Sequence, residues 1–144
     1  MYLNSNQLTT VPESLSQLTK LEKLYLWGNQ LTEAPEWLGQ LSELKDLQIS
    51  KNQLTTVPES LSQLTKLEIL YLSGNQLTEA PEWLGQLSEL KELYLSKNQL
   101  TPVPESVSQL TKLEKLVLHT NQLRAIPNYI GKLTSLKFRK RPSY

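Results

Sequence analysis

An asparagine recurs at a constant interval of 23 residues along this chain, and a proline follows each one at the same interval. A fixed period of this length is typical of repeat proteins, in which each unit is one supersecondary element that cannot bury its apolar face alone. The units must therefore stack, and the residues that differ between units are the ones available for function. The repeated asparagines are Asn6, Asn29, Asn52, Asn75, Asn98 and Asn121.

One unit shows the expected secondary structure. Leu24 and Leu26 alternate with outward-facing residues, which is the two-residue period of a β-strand. From residue 30 to residue 44, apolar residues are spaced by three and four positions around Pro35, which indicates a turn and a short helical return. Because the return brings the next strand parallel to the last, we expect a parallel sheet on one face and helical turns on the other.

The unit L-x-x-L-x-L-x-x-N-x-L followed by P-x-x-L-x-x-L resembles the leucine-rich repeat, in a 23-residue form similar to the bacterial, Roco-type or Ras-interacting subfamily. The resemblance implies an α/β solenoid curved like a horseshoe, with a parallel β-sheet on the concave face and short helical or 3-10 turns on the convex face. It also implies protein binding on the concave face. Complete strand cores begin at Leu21, Leu44, Leu67, Leu90 and Leu113.

The repeats organise all 144 residues into a single predicted domain. A partial first repeat covers residues 1–7, repeats continue to about residue 136, and a basic tail covers residues 137–144. The chain opens inside a strand core at Leu3, with no polar unit to cover the end of the stack. We therefore expect either a fragment of a longer array or a homo-oligomer in which a second copy covers this end or the open sheet edge.

Each repeated asparagine is predicted to be structural. Where the chain leaves a strand, backbone donors and acceptors lose their partners in the sheet, and a buried amide side chain can replace those partners. Stacked asparagines would then form an internal ladder, and we assign them no chemical role.

A second period of 46 residues lies beneath the first. Residues 8–53 and 54–99 differ at only five positions, and four of the five face outward on strands. Because the exposed faces of the helical returns have not diverged between these modules, we interpret the outward strand face as a surface fitted to a partner. Free drift of a solvent-facing surface is the alternative.

The strand alternation places the predicted partner-binding residues on the concave face. Tyrosine and tryptophan offer a large contact area at a low cost in rotamer entropy, which is typical of recognition surfaces. The alternative is that tyrosines of adjacent strands merely stack as cross-strand pairs. The predicted binding residues are Tyr2, Lys23, Tyr25, Trp27, Asp46, Gln48, Ile69, Tyr71, Glu92, Tyr94 and His119.

Two further patterns have structural interpretations. Trp37 and Trp83 are expected to pack over neighbouring coils, with a second, convex binding patch as the alternative. A column of alternating charge is expected to pin successive coils, although a merely solvated charged face would look the same. This column contains Glu22, Lys45, Glu68, Lys91 and Glu114.

The composition gives little support to catalysis, metal binding or nucleic-acid binding. The chain has one histidine, one aspartate and no cysteine, and His119 lies three coils, or about 14 Å, from Asp46 along the stack. We therefore expect no catalytic site, no metal and no cofactor. A net charge of +1 gives no electrostatic reason to bind nucleic acid or an anionic membrane. The lack of cysteine and of a targeting segment favours a soluble, cytoplasmic protein.

Three functions of different classes remain open. The first is a non-enzymatic module for protein–protein interaction, with a protein ligand of unknown identity on the concave face. The second is the recognition arm of a larger multidomain protein, for instance a Roco-type GTPase. The third is a self-associating or engineered repeat scaffold without a natural ligand, which the near-identical modules suggest.

Overall fold

The computed structural model of the chain describes residues 1–137 as a stack of coils, each built from one short strand and one 3-10 helix. The strands are β1 (Lys23–Tyr25), β2 (Asp46–Gln48), β3 (Ile69–Tyr71), β4 (Glu92–Tyr94) and β5 (Lys115–Val117). The 3-10 helices are η1 (Glu13–Gln17), η2 (Glu36–Gln40), η3 (Glu59–Gln63), η4 (Glu82–Gln86), η5 (Glu105–Gln109) and η6 (Asn128–Lys132).

The five strands form one parallel sheet in sequence order. Partners in the sheet are always one repeat apart, so that Leu24 lies opposite Leu47. A segment before β1 extends the ladder, because Tyr2 bridges Tyr25 and the Leu3 N–H donates to the Tyr25 carbonyl at 2.8 Å. The predicted solenoid, with its parallel sheet on the concave face and its short turns on the convex face, is confirmed.

Each helical return is a 3-10 helix of five residues that follows a proline. Pro35 is extended, with φ −66° and ψ 141°, and its missing N–H is tolerated because the first N–H groups of a helix have no partner inside it. The helix ends where Leu41 turns away, and the Leu41 N–H donates to the Leu38 carbonyl. The proline therefore sets where each return begins.

Leucines fill the interior, and the repeated asparagines satisfy the backbone between coils. Asn75 accepts a hydrogen bond from the Leu54 N–H at 3.1 Å and donates to the carbonyls of Ile49 and Leu72 at 3.0 Å each. Asn6 differs, because it is exposed and donates only within its own coil. The internal ladder that joins neighbouring coils consists of Asn29, Asn52, Asn75, Asn98 and Asn121.

The predicted column of alternating charge forms separate pairs. Its ion pairs are Glu22 with Lys45 at 3.0 Å, Glu68 with Lys91 at 2.9 Å, and Glu114 with Lys137 at 2.6 Å. Each lysine of the column thus pairs with the glutamate one coil before it. A second column, absent from the prediction, pairs Glu43 with Lys66 and Glu89 with Lys112, at 2.7 Å each. All these pairs are largely solvent exposed, so water and salt screen them and each contributes little to stability.

The two-coil period has a structural origin on the convex side. A methyl group at Gly39 would collide with the Ser60 carbonyl, and one at Gly85 would collide with the Ser106 carbonyl. The glycine-bearing helices η2 and η4 therefore lie directly against the serine-bearing helices η3 and η5. The tryptophans of η2 and η4 are only 8% exposed, so they pack within the stack as expected.

The predicted basic tail begins at Lys137, and residues 138–144 lie outside the described residues. Within residues 1–137, no helix is both long enough and apolar enough to cross a membrane.

Candidate partner-binding surface

One face of the sheet presents columns of side chains in strict register. Trp27 lies two residues after the end of β1, and His119 lies two residues after the end of β5. Because side chains of an extended chain alternate with a period of two, both residues continue this face. The structure therefore places all the predicted site residues on the same face of the sheet. One column contains Lys23, Asp46, Ile69, Glu92 and Lys115, and the next contains Tyr25, Gln48, Tyr71, Tyr94 and Val117, with Tyr2 beside Tyr25.

The aromatic side chains of this face form two pairs. Tyr71 and Tyr94 stack with ring centroids 3.8 Å apart and planes 10° apart. The Lys115 ammonium lies 4.8 Å from the Tyr94 ring centroid, in cation–π geometry. Tyr2 and Tyr25 meet edge to face at 4.9 Å. The cross-strand stacking considered as an alternative does occur, yet Tyr71 and Tyr94 remain partly exposed, so their outer edges stay accessible.

Asp46 differs from the other predicted contact residues because it is only 6% exposed. Its carboxylate accepts a hydrogen bond from the Tyr25 hydroxyl at 2.7 Å and one from the Gln48 amide at 3.1 Å. The hydrogen bond to Asp46, with partial burial, raises the pKa of Tyr25 to about 12. Asp46 therefore positions Tyr25 and Gln48 and offers little surface of its own to a partner.

Glu92 holds the second aromatic pair in a similar way. The Tyr94 hydroxyl donates to the Glu92 carboxylate at 2.5 Å. Burial of the ring, together with this hydrogen bond, raises the pKa of Tyr94 well above its ordinary value. Both carboxylates of the concave face are thus engaged by tyrosine hydroxyls within the protein.

A shallow depression of about 510 Å³ opens beside the stacked tyrosines. Its floor is the aromatic pair, flanked by serines of which Ser73 and Ser96 are joined by a hydroxyl hydrogen bond of 2.9 Å. Its rim is basic. We call this region the basic cradle, and its lining includes Lys51, Tyr71, Tyr94, Lys97, Lys115 and His119.

Lys51 and Lys97 are absent from the predicted site, and both have an unusual backbone. Each adopts φ 53°, in the left-handed region. The same repeat position is glycine at Gly28 and Gly74, with φ 71°, and a serine or threonine with positive φ in the first and last coils. A side chain in this region costs about 1 kcal/mol relative to glycine. The sequence signal is the change from G-N-Q to K-N-Q before alternate asparagines.

The surface offers aromatic faces, hydroxyl groups and ammonium groups. His119 is exposed, and its Nδ1 lies 3.1 Å from the Thr120 hydroxyl. In the part of the chain that the structure describes, no three His, Cys, Asp or Glu side chains converge as metal ligands would. These groups suit the binding of another chain by stacking, hydrogen bonding and charge.

Comparisons with known protein families agree with this geometry. A family model described as Leucine rich repeat matches residues 34–77, and one for paired Leucine Rich repeats matches residues 1–39 and 88–137. A search of curated proteins returned no match.

Similar solved structures come from bacteria and a plant. A leucine-rich repeat protein of Leptospira interrogans is 37% identical with a TM-score of 0.92, over 95% of this chain and 35% of that one. An internalin of Listeria monocytogenes is 29% identical with a TM-score of 0.83, over 97% of this chain and 40% of that one. The Arabidopsis receptor kinase HAESA was solved with the peptide hormone IDA and the co-receptor SERK1. It is 34% identical with a TM-score of 0.84, over 95% of this chain and 24% of that one.

This chain therefore spans less than half the length of each of these three proteins. Its repeated motif, its in-register parallel sheet and the family matches over most of its length lead to one conclusion. The chain belongs to the leucine-rich repeat family.

Proposed function

We propose that this chain is a non-enzymatic protein-interaction module that binds an extended segment of a partner protein across its concave face. The observation that carries the proposal is the partly exposed stack of Tyr71 and Tyr94 beside an open depression. Aromatic rings held on a rigid sheet can bind with little further loss of rotamer entropy. The leucines and asparagines beneath the rings are already used by the fold.

The similar proteins support a role of this kind. HAESA was solved with a peptide hormone bound, which makes a peptide segment a reasonable partner for the same fold. The bacterial, Roco-type or Ras-interacting form of the 23-residue repeat stays a prediction. Because this chain matches only part of each neighbour, the same surface could also serve as the recognition arm of a longer protein. A gene of origin that encodes further domains would support that second candidate.

Self-association is a separate candidate, favoured by the apolar groups of the first coil. Tyr2 is 70% exposed and Leu18 is 39% exposed. In that case, sedimentation velocity should show a dimer or larger species as the protein concentration rises. A single monomeric species at high concentration would eliminate this candidate without affecting the partner-binding proposal.

The main proposal can be tested by selection from a library of displayed random peptides on the immobilised chain. We expect enriched peptides to bind the unmodified protein and to lose most of their affinity for Tyr71→Ala and Trp27→Ala. A convex-face change, Glu59→Gln, serves as the control because Glu59 is exposed on η3. Circular dichroism should show that all three variants are folded at the assay temperature.

Two outcomes would count against a concave binding surface. One is a set of enriched peptides that bind both aromatic variants as tightly as the unmodified protein. The other is a loss of binding in Glu59→Gln that equals the loss in Tyr71→Ala. Either result would move the interaction away from the tyrosine-bearing face.

A further inference from the structure

The lysines of the basic cradle are unpaired within the described chain. Ion pairs among residues 1–137 engage lysines on the sheet edge and the convex side, whereas Lys51, Lys97 and Lys115 are in none of them. Lys51 and Lys97 are also exposed. Their charges are therefore available to a ligand.

No acidic side chain competes for these charges in the lining of the cradle. The carboxylates on the same face belong to Asp46 and Glu92, and both accept hydrogen bonds from tyrosine hydroxyls. Neither lines the depression, whose charged lining groups are all lysines, with His119 beside them. The charged side chains that line the cradle are thus all positive, although the net charge of the whole chain is only +1.

The charge distribution of the molecule orients an acidic ligand towards this face. Each of the first five 3-10 helices has a glutamate in its first turn, where a negative charge is favoured beside free N–H groups. These glutamates lie on the convex side. An acidic ligand is therefore repelled by the convex face and attracted by the concave one.

Lys51 and Lys97 occupy a left-handed turn position that recurs in every coil. Glycine takes this position in two of the other coils, and serine and threonine take it in the first and the last. The Lys51 chain also leans over Gly74, where its Cγ would lie 3.4 Å from an added Cβ. Because four of the six equivalent positions are not glycine, the backbone conformation alone does not single out the two lysines; their exposed ammonium groups beside the cradle do.

The spacing of these two lysines sets the geometry of the ligand. They lie two coils apart, and because neighbouring strands are about 4.8 Å apart, their backbones are separated by about 10 Å. An extended or polyproline-type peptide covers about the same distance in three residues. Along the stack, Tyr71 lies in the coil between the two lysines, and Tyr94 lies in the same coil as Lys97.

We propose that the basic cradle selects an extended acidic segment, with two carboxylates about three residues apart on Lys51 and Lys97 and an apolar or aromatic side chain between them on the Tyr71–Tyr94 stack. This inference rests on the proposed function and specifies the chemistry of the partner. Lys115, beside Tyr94, adds a third positive group at the far end of the stack.

Fluorescence anisotropy with three short synthetic peptides tests the proposal. The first has two glutamates three positions apart with a phenylalanine between them, the second replaces both glutamates by glutamine, and the third replaces both by lysine. We expect the acidic peptide to bind tightest and to weaken as salt is added, because exposed charge pairs are screened. The double variant Lys51→Gly and Lys97→Gly should bind it about tenfold more weakly.

A matched control removes two positive charges elsewhere. Lys20→Ala with Arg124→Ala lowers the net charge by the same amount, since both residues are exposed and neither lines the cradle. This control should keep the affinity for the acidic peptide to within about twofold. The glycine double variant should be at least as thermally stable as the unmodified protein, because glycine relieves the left-handed conformation at both positions, and this separates lost binding from lost folding.

The outcomes distinguish this inference from the proposed function. If the glutamine peptide binds as tightly as the acidic one and still loses affinity for Tyr71→Ala, the concave surface stands and the acidic preference is wrong. Equal weakening by the two double variants would also overturn the inference, because it would reduce the effect to net charge. If none of the peptides binds, both this inference and the choice of the cradle as a peptide site are wrong.

Discussion

In each coil of the internal ladder, one asparagine side chain forms hydrogen bonds with backbone groups that have no partner in the sheet. Asn75 satisfies one N–H and two carbonyl groups, all buried between neighbouring coils. Groups of this kind left without partners cost about 1–3 kcal/mol each. The sequence could predict this role because the strict recurrence of one amide at the end of every strand has few other physical explanations.

Replacement of one ladder asparagine tests this role against a matched position. Asn75→Ala should lower the free energy of unfolding by about 3 kcal/mol or more, because three buried groups lose their partner. Asn6→Ala should change it by less than about 0.5 kcal/mol, since Asn6 is exposed and bonds only within its own coil. Urea unfolding of the two variants measures both values, and similar losses would contradict the ladder.

The hydrogen bond between Tyr25 and Asp46 predicts a particular pH dependence. Folding raises the pKa of Tyr25 from 10.0 to about 12, so the neutral phenol is the form that the fold stabilises. Its contribution to stability should be complete below pH 10 and should disappear as the pH rises towards 12. The difference in near-ultraviolet phenolate absorbance between the protein and Tyr25→Phe reports this titration. In Asp46→Asn the titration should move back towards the ordinary tyrosine range, and an unchanged midpoint would refute the assigned cause.

At the scale of elements, the repeat predicts where each strand and each return lies, but not how two neighbouring returns fit together. The proline fixes the start of each 3-10 helix, and leucine spacing fixes its buried side. The close approach of η2 to η3 depends on a missing methyl group at Gly39. The sequence of one repeat cannot predict such a contact. Only a comparison of neighbouring repeats, in which glycine and serine alternate at this position, indicates it.

Two glycines at equivalent positions test this contact. Gly39→Ala should lower the free energy of unfolding by about 1–3 kcal/mol, because the added methyl group meets the Ser60 carbonyl. At Gly131 no described atom lies within 4 Å of an added methyl group, so Gly131→Ala should be neutral or stabilising by up to about 1 kcal/mol. Thermal unfolding of the two variants measures both changes in stability. Destabilisation of the same size at both positions would show that helix preference, not packing, governs the effect.

At the scale of the whole molecule, the fold and the general position of the surface follow from the sequence, whereas the chemistry of the surface does not. Alternation along the strands correctly brings the tyrosines to one face. It cannot show that Asp46 turns inward to Tyr25, because that depends on side-chain hydrogen bonding across strands. It also passes over Lys51 and Lys97, which lie in turns after the strands and adopt a conformation that sequence patterns assign to glycine.

The most direct test of the account is the nuclear magnetic resonance footprint of a peptide selected on this chain. Amide shifts should concentrate on the strand face and its following turns, around Tyr71, Tyr94 and Lys97, while the helices η1 to η6 stay nearly unchanged. The footprint should disappear in Tyr71→Ala, although the spectrum remains that of a folded protein. A footprint centred on the convex helices, such as η2 with its Trp37, would contradict it.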